Sequence, residues 1–252
     1  MNDSYRFMQE ELQRQDWLSV YINSFVSQYD PNTSYLDPES RERFDVDMSG
    51  NYAGIGARLQ KKIDKVEITE VISGGPAWRE NILEKGDIIL KVRQENEDEA
   101  TGILGMRLSE AVKLIKGEKG TKVYLTIKKV DGSVSEISVK RDIVLLEETY
   151  IKSSIVEKNS NSFGIINIPK FYIDFDNQSN RDAAKDLRTE INRLKEEGVQ
   201  GLIIDLRNNG GGALKTVVDM AGMFIKTGPV VQVKYFDKEK QILSDRDRSI
   251  LW

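Results

Sequence analysis

Residues Leu202–Ile225 read LIIDLRNNGGGALKTVVDMAGMFI, three glycines set between an apolar run and an amphipathic one. "GLIIDLR" has the length and β-branched content of a buried strand, and the segment from about Ala213 has the three- and four-residue apolar steps of a helix. A strand that turns straight into a helix is one half of a βαβ unit. Each of Gly210, Gly211 and Gly212 loses about 0.5–1 kcal/mol more backbone freedom on ordering than alanine does in a regular element. Bare backbone at the carboxyl end of a strand is therefore either a tight turn or a set of amides left open to something else. A phosphate loop does not fit, because no Lys-Ser/Thr follows the glycines.

The flanking sequence supplies the rest of an α/β unit. "FGIINIP" reads as a strand before it, "RDAAKDLRTEINRLKEEG" as a helix with Ala184, Leu187, Ile191 and Leu194 on one face, and "PVVQVKYF" as a third strand after it. Strand–helix–strand–helix–strand predicts parallel pairing with right-handed crossovers and a site at the carboxyl ends of the strands. From Tyr52 to about Val144 short strands surround one helix. "VEITEVI" and "GDIILKV" are strand-like, "KVYLTIKKVDGSVSEISVK" is a hairpin turning at Asp131-Gly132, and a short helix runs from about Leu108 to Lys116. At the amino terminus Phe7, Met8, Leu12, Trp17, Leu18, Tyr21, Ile22, Phe25 and Val26 recur at helical steps over Ser4 to Tyr29. "DPNTSYLDPES" follows as turns, with Pro31 and Pro38 as breakers.

Composition excludes several chemistries. The chain has 252 residues, a formal net charge of −4, no histidine and no cysteine. It cannot build a Ser-His-Asp triad, a thiol nucleophile, a disulfide, or a histidine or thiolate metal site, so no metal or cofactor is expected. The acidic balance gives no nucleic-acid footprint. No run approaches the ~18 apolar residues of a membrane span, and polar residues after Met1 exclude a signal peptide at this start.

A second glycine loop, "YAGIGARLQ" (Tyr52–Gln60), precedes a strand. Consecutive N–H groups beside a free strand edge suit the terminal carboxylate of a peptide that adds to the sheet, although "GIG" alone favours a plain tight turn. With "GDIILKV" and "LSEAVKLIKGEKGTKVYLTI" in that order, the segment resembles a PDZ domain. That resemblance implies a carboxylate at the amides of Ile55, Gly56 and Ala57, and a groove wall of Leu108, Val112 and Ile115, which as plain residues fit core packing as well.

The motifs "YDPNTSYLDPE", "MSGNYAGIGARLQ", the PDZ-like segment and "GLIIDLRNNGGGALKTVVDMAGMFI" occur in the order found in the carboxy-terminal-processing, or tail-specific, serine proteases. The resemblance runs from about Phe25 to Trp252 and is strongest to the long periplasmic branch in bacteria. Asn32 stands where members often have histidine, which leaves the chemistry untouched because the family uses none in catalysis. The implied fold is a multidomain α+β and α/β chain: a helical segment (1–50), a PDZ-like domain (51–145) and the first part of an α/β protease core (146–252). By the match to "DLRxNxGG", Gly211 is the first candidate oxyanion-hole donor and Gly212 the second. Asp205 is expected to hold the loop through backbone amides or an arginine, with Asn208 and Asn209 fixing the turn. The nucleophilic serine and the lysine base of the family fall beyond Trp252, so the chain reads as a fragment, inactive alone. The implied activity is that of a Ser-Lys endopeptidase acting on proteins with apolar C-termini in the periplasm or cell envelope, with an adaptor protein as a further partner. The competing readings are a non-catalytic PDZ-containing regulator and a structural envelope protein.

Overall fold

The computed structural model describes residues 14–175, 181–234 and 239–252. Phe7, Met8 and Leu12 of the amino-terminal helix, and Tyr235 and Phe236 of "PVVQVKYF", lie outside the described residues. Two compact units are present, Met1–Asp47 and Met48–Trp252.

In the first unit, α1 spans Arg14–Tyr29. Asp30 then makes the expected turn, its carboxylate accepting from the Asn32 amide at 2.9 Å. The second half of "DPNTSYLDPES" departs from expectation. Pro38 opens a helix, α2 (Pro38–Ser49), rather than ending one. Proline suits the first helical position, where its missing N–H costs nothing. Asp37 supplies the cap, accepting from the amides of Glu39 and Ser40 at 3.0 Å each.

The second unit opens with β1 (Asn51–Gly54), which pairs antiparallel with β8 (Asp142–Leu145). Between them lies a sheet of β2 (Ala57–Lys62), β3 (Lys65–Val71), β4 (Ile88–Gln94), β6 (Lys122–Lys128) and β7 (Val134–Lys140), in the order β2-β3-β4-β6-β7. The short β5 (Thr101–Gly102) pairs with β4. Two helices, α3 (Pro76–Glu80) and α4 (Leu108–Ile115), cover its apolar face. The alternating burial of β3 and β6 places Val66, Ile68, Val123, Leu125 and Ile127 in one core with Ile89, Ala111 and Ile115. The hairpin turns at Asp131-Gly132 as expected, with Gly132 at φ +89°. Asp87 is fully buried and pairs with Lys129 at 2.8 Å.

A second core begins after the connector. β9 (Lys152–Lys158) pairs antiparallel with β10 (Asn161–Asn167), which pairs parallel with β11 (Gly201–Asp205) through the crossover helix α5 (Ala183–Glu196). Asp182 caps α5 by accepting from the Lys185 amide. The four apolar residues picked out on its face, Ala184, Leu187, Ile191 and Leu194, are all buried against Ile166 and Ile168. The helix after the glycines is α6 (Leu214–Gly222).

The third strand corrects the expectation of a continuous parallel sheet. β12 (Gly228–Val233) pairs antiparallel with β13 (Gln241–Asp245), in a separate two-stranded sheet. β11 is thus an edge strand among the described residues, and Ile203 on it is 52% exposed. The βαβ pattern fixed element types but not which strands share a ladder, because register depends on long-range partners.

Candidate functional site: two glycine loops

The first loop connects β1 to β2. Gly56 adopts φ +80°, and its Cα lies against Gly75, so a Cβ there would come within 3.0 Å of Gly75 Cα. Two backbones cross at van der Waals distance and only glycine fits. The carbonyls of the loop point inward. Ile55 accepts from Ala77 N–H at 2.9 Å and Gly56 accepts from Ile72 N–H at 2.8 Å. The N–H groups of Ile55 and Gly56 have no backbone acceptor among the described residues. Carbonyls satisfied within the fold and amides without a backbone acceptor are what an anion-binding loop requires.

The rest of the groove follows from topology. Among the described residues β2 is an edge of its sheet, and α4 packs against it. Gly105, just before α4, donates its N–H to Asp64 O past the end of β2, so the two run in opposite directions. The carboxyl end of α4 reaches the loop, because Lys116 Cγ lies 3.8 Å from a Cβ built on Gly54. Lys116 Nζ sits 5.3 Å from the centre of the Tyr52 ring, a cation–π distance. Burial pushes the Tyr52 hydroxyl up to about 12, so the ring stays neutral. Of the three expected wall residues, Leu108 and Val112 are half-buried and Ile115 is in the core. Ala57 and Leu59 of β2 pack against that core, leaving the free edge of the strand beside α4.

Two residues of this region escaped the sequence reading. Lys116 was legible only as the end of a helix. Arg141 is buried and ties down the carboxyl end of α4, donating to the carbonyls of Ile115 at 2.8 Å and Leu114 at 3.1 Å, and to Gln94 Oε1 at 2.8 Å. Burial lowers its pKa, because all these acceptors are neutral. "KRD" in the sequence carries no signal that this arginine turns inward.

The second loop follows β11. Asp205 accepts from the Arg207 amide at 3.0 Å and pairs with the Arg207 guanidinium at 2.7 Å. The Arg207 bonds hold its carboxyl down at about 2. Asn208 takes φ +62°, and Asn209 Nδ2 donates to Ile168 O at 2.8 Å, so both asparagines shape the turn. Gly211 (φ +103°) donates its N–H to Asn209 Oδ1 at 2.7 Å. Gly212 (φ +147°) has no backbone acceptor for its N–H among the described residues, and a Cβ there would sit 2.2 Å from Phe171 O. Phe171 runs beside the loop, donating to Gly211 O and accepting from Ala213 N–H, both at 2.9 Å. The amino terminus of α6 adds its partial positive charge here.

The PDZ description matches residues 44–128 and Peptidase family S41 matches residues 162–250. The chain carries a PDZ domain and a family S41 peptidase region. Its first glycine loop lies in the former and its second in the latter. The chain is 36% identical to the tail-specific protease of Haemophilus influenzae over 92% of its own length and 32% of the relative's. It is 32% identical to the carboxy-terminal processing protease CtpA of Bacillus subtilis over 88% of its length and 44% of that protein's. It thus spans less than half of each of these relatives. A PDZ domain of a Vibrio cholerae carboxy-terminal protease, solved in complex with peptide, is 38% identical and aligns over 37% of this chain and 97% of that one, with a TM-score of 0.36. No described helix is long and apolar enough to cross a membrane.

Proposed function

We propose that this chain is the tail-recognising and oxyanion-binding portion of a Ser-Lys endopeptidase of the bacterial periplasm. The observation that carries the reading is the pair of open amides at Ile55 and Gly56, placed where a free strand edge and an antiparallel helix converge. A peptide entering this groove adds a strand to β2 and ends at those amides, with Lys116 supplying positive charge. Leu108 and Val112 contact its apolar side chains. The working division is a helical segment to about residue 50, a PDZ-like domain over 51–145 and a protease-core portion from 146.

In the S41 region, an amide directed at a developing oxyanion stabilises acyl-transfer transition states. Gly212 fits this role better than Gly211, whose N–H is already given to Asn209. Gly211 joins only if Asn209 Oδ1 turns away. In this reading the nucleophile and base belong to parts of the protein outside these residues; the matched portion is 32% and 44% of the two relatives. A lysine serves as base once burial lowers its pKa toward the working pH.

The test is to incubate the purified chain with an unfolded protein bearing an apolar C-terminus and to follow both by mass spectrometry. The expected result is binding without cleavage. Cleavage that survives repurification and disappears on replacing a serine within these residues would place the active site here instead.

A further inference from the structure

Residues 168–174 follow β10 and carry Phe171, the backbone partner of the second glycine loop. Little ladder pairing holds this segment. Its bridges are isolated ones, Phe171 with Gly212 and Ile173 with Asp182. Its amides go to three separate places: Ile168 N–H to Asp205 O at 3.0 Å, Phe171 N–H to Gly211 O at 2.9 Å, and Ile173 N–H to Met48 O at 3.0 Å. A stretch with single bridges opens more readily than a ladder, so its side-chain anchors decide where it lies.

The anchor is Tyr172, next to Phe171. Its side chain is fully buried, and its ring meets Tyr150 edge to face at 5.0 Å between centres. Its hydroxyl donates to Asp186 Oδ2 and accepts from the Ile151 amide at 3.4 Å. The same carboxylate oxygen takes two bonds from the Arg181 guanidinium, at 2.6 and 3.0 Å. Burial and the Asp186 carboxylate push the Tyr172 hydroxyl well above its ordinary pKa, so it stays a donor. Asp186 lies on α5, which Leu187 and Ile191 fix in the second core. A packed helix thus holds the residue beside Phe171.

Phe171 in turn sets the direction of one amide. The Gly211 carbonyl and the Gly212 N–H share a trans peptide plane, in which they point opposite ways. By holding that carbonyl, the Phe171 N–H turns the Gly212 N–H away from Phe171. The Phe171 carbonyl accepts from Ala213 at 2.9 Å and fixes the next plane. The segment is therefore a template against which the Gly212 amide is aimed.

Building on the oxyanion reading of Gly212 above, we infer that Tyr172, through its hydroxyl bond to Asp186, is a positioning residue for the Gly212 amide. It touches no substrate and acts through the Phe171 backbone. An oxyanion donor is effective only when it is already aimed at the developing charge, so an anchor that fixes its direction acts on turnover and not on substrate capture.

The experiment uses the full chain and compares Tyr172→Phe, which keeps the ring and removes only the hydroxyl, with Ile191→Val, which trims the same core away from the anchor. Residual dipolar couplings of backbone amides report the direction of each N–H in the folded protein, independently of stability. In Tyr172→Phe the Gly212 and Ala213 couplings should change while those of the β10–β11 ladder stay at their wild-type values. Ile191→Val should leave all of them unchanged. A Gly212 coupling that is the same in Tyr172→Phe and wild type, or one that changes equally in Ile191→Val, overturns the positioning role. Should Tyr172→Phe not fold, Asp186→Asn keeps the tyrosine and weakens the same bond, and its Gly212 coupling decides in the same way. In the longer protease of the proposed function, Tyr172→Phe should lower kcat by about tenfold or more with KM unchanged, short of the ~10²–10³ lost with a whole donor. A redirected Gly212 amide with unchanged kcat would keep Tyr172 as the anchor and overturn the oxyanion reading instead.

Discussion

Gly211 and Gly212 are adjacent and both have positive φ, yet they answer different constraints. Nothing lies within 4 Å of a Cβ built on Gly211, whereas one on Gly212 would meet a backbone oxygen. Gly211→Ala is therefore expected to cost about 1 kcal/mol, from backbone conformation alone. Gly212→Ala must move Phe171 and should cost about 3 kcal/mol or more. Urea denaturation of the two variants separates them, and equal losses would contradict the close approach. Asp205 gives a second residue-scale prediction. Its carboxyl lies below the usual range because of Arg207, so the Arg207→Ala variant should return it toward about 3.9. The sign is that of a depressed carboxylate: the Asp205–Arg207 interaction is fully present above about pH 4 and is lost as the pH falls through about 2. Carboxyl-carbon NMR titration of the two proteins reads this directly, and an unshifted midpoint in the variant would show that Arg207 is not the cause. The sequence made Asp205 legible as a loop anchor. It gave no sign that the Gly211 amide is taken by Asn209, because a side-chain rotamer has no sequence signature.

At the scale of elements, the position of α4 decides whether a groove exists. Its carboxyl end is held by Arg141 more than by its own cap, since Lys116 closes the helix through a single backbone bond to Val112 O. Arg141→Met should leave the carbonyls of Ile115 and Leu114 without this donor and cost about 2–4 kcal/mol, with α4 amides losing hydrogen-exchange protection first. A uniform loss across the sheet would argue that Arg141 acts on the whole domain rather than on the helix. Periodicity was a sound guide to elements of this kind. The face of α5 and the Asp131-Gly132 hairpin were both legible, because a 3.6-residue stripe and an Asp-Gly turn are local signals. The helix at Pro38 was not. Proline reads as a breaker unless its own first-turn position is recognised, and here the capping Asp37 was the available clue. The pairing of β12 with β13 was equally hidden, because ladder partners are chosen by packing and not by local composition.

For the whole molecule, two open backbone sites sit in different parts of one compact unit, one suited to a carboxylate and one to an oxyanion. Both owe their form to glycines at crossings of backbone, Gly56 against Gly75 and Gly212 against Phe171. The order of motifs along the chain was sufficient to place a PDZ-like segment before a peptidase-core segment, while the placement of Lys116 and Arg141 depends on contacts between elements distant in the chain. The central claim is that the groove captures a free C-terminal carboxylate. Calorimetric titration of the chain with an apolar-ended peptide, against the same peptide amidated at its terminus, measures that capture directly. A bond from the loop amides to the charged group is worth about 1.5–3 kcal/mol, so amidation should weaken binding by roughly ten- to a hundredfold. Equal affinity for the free and amidated peptides would contradict the account.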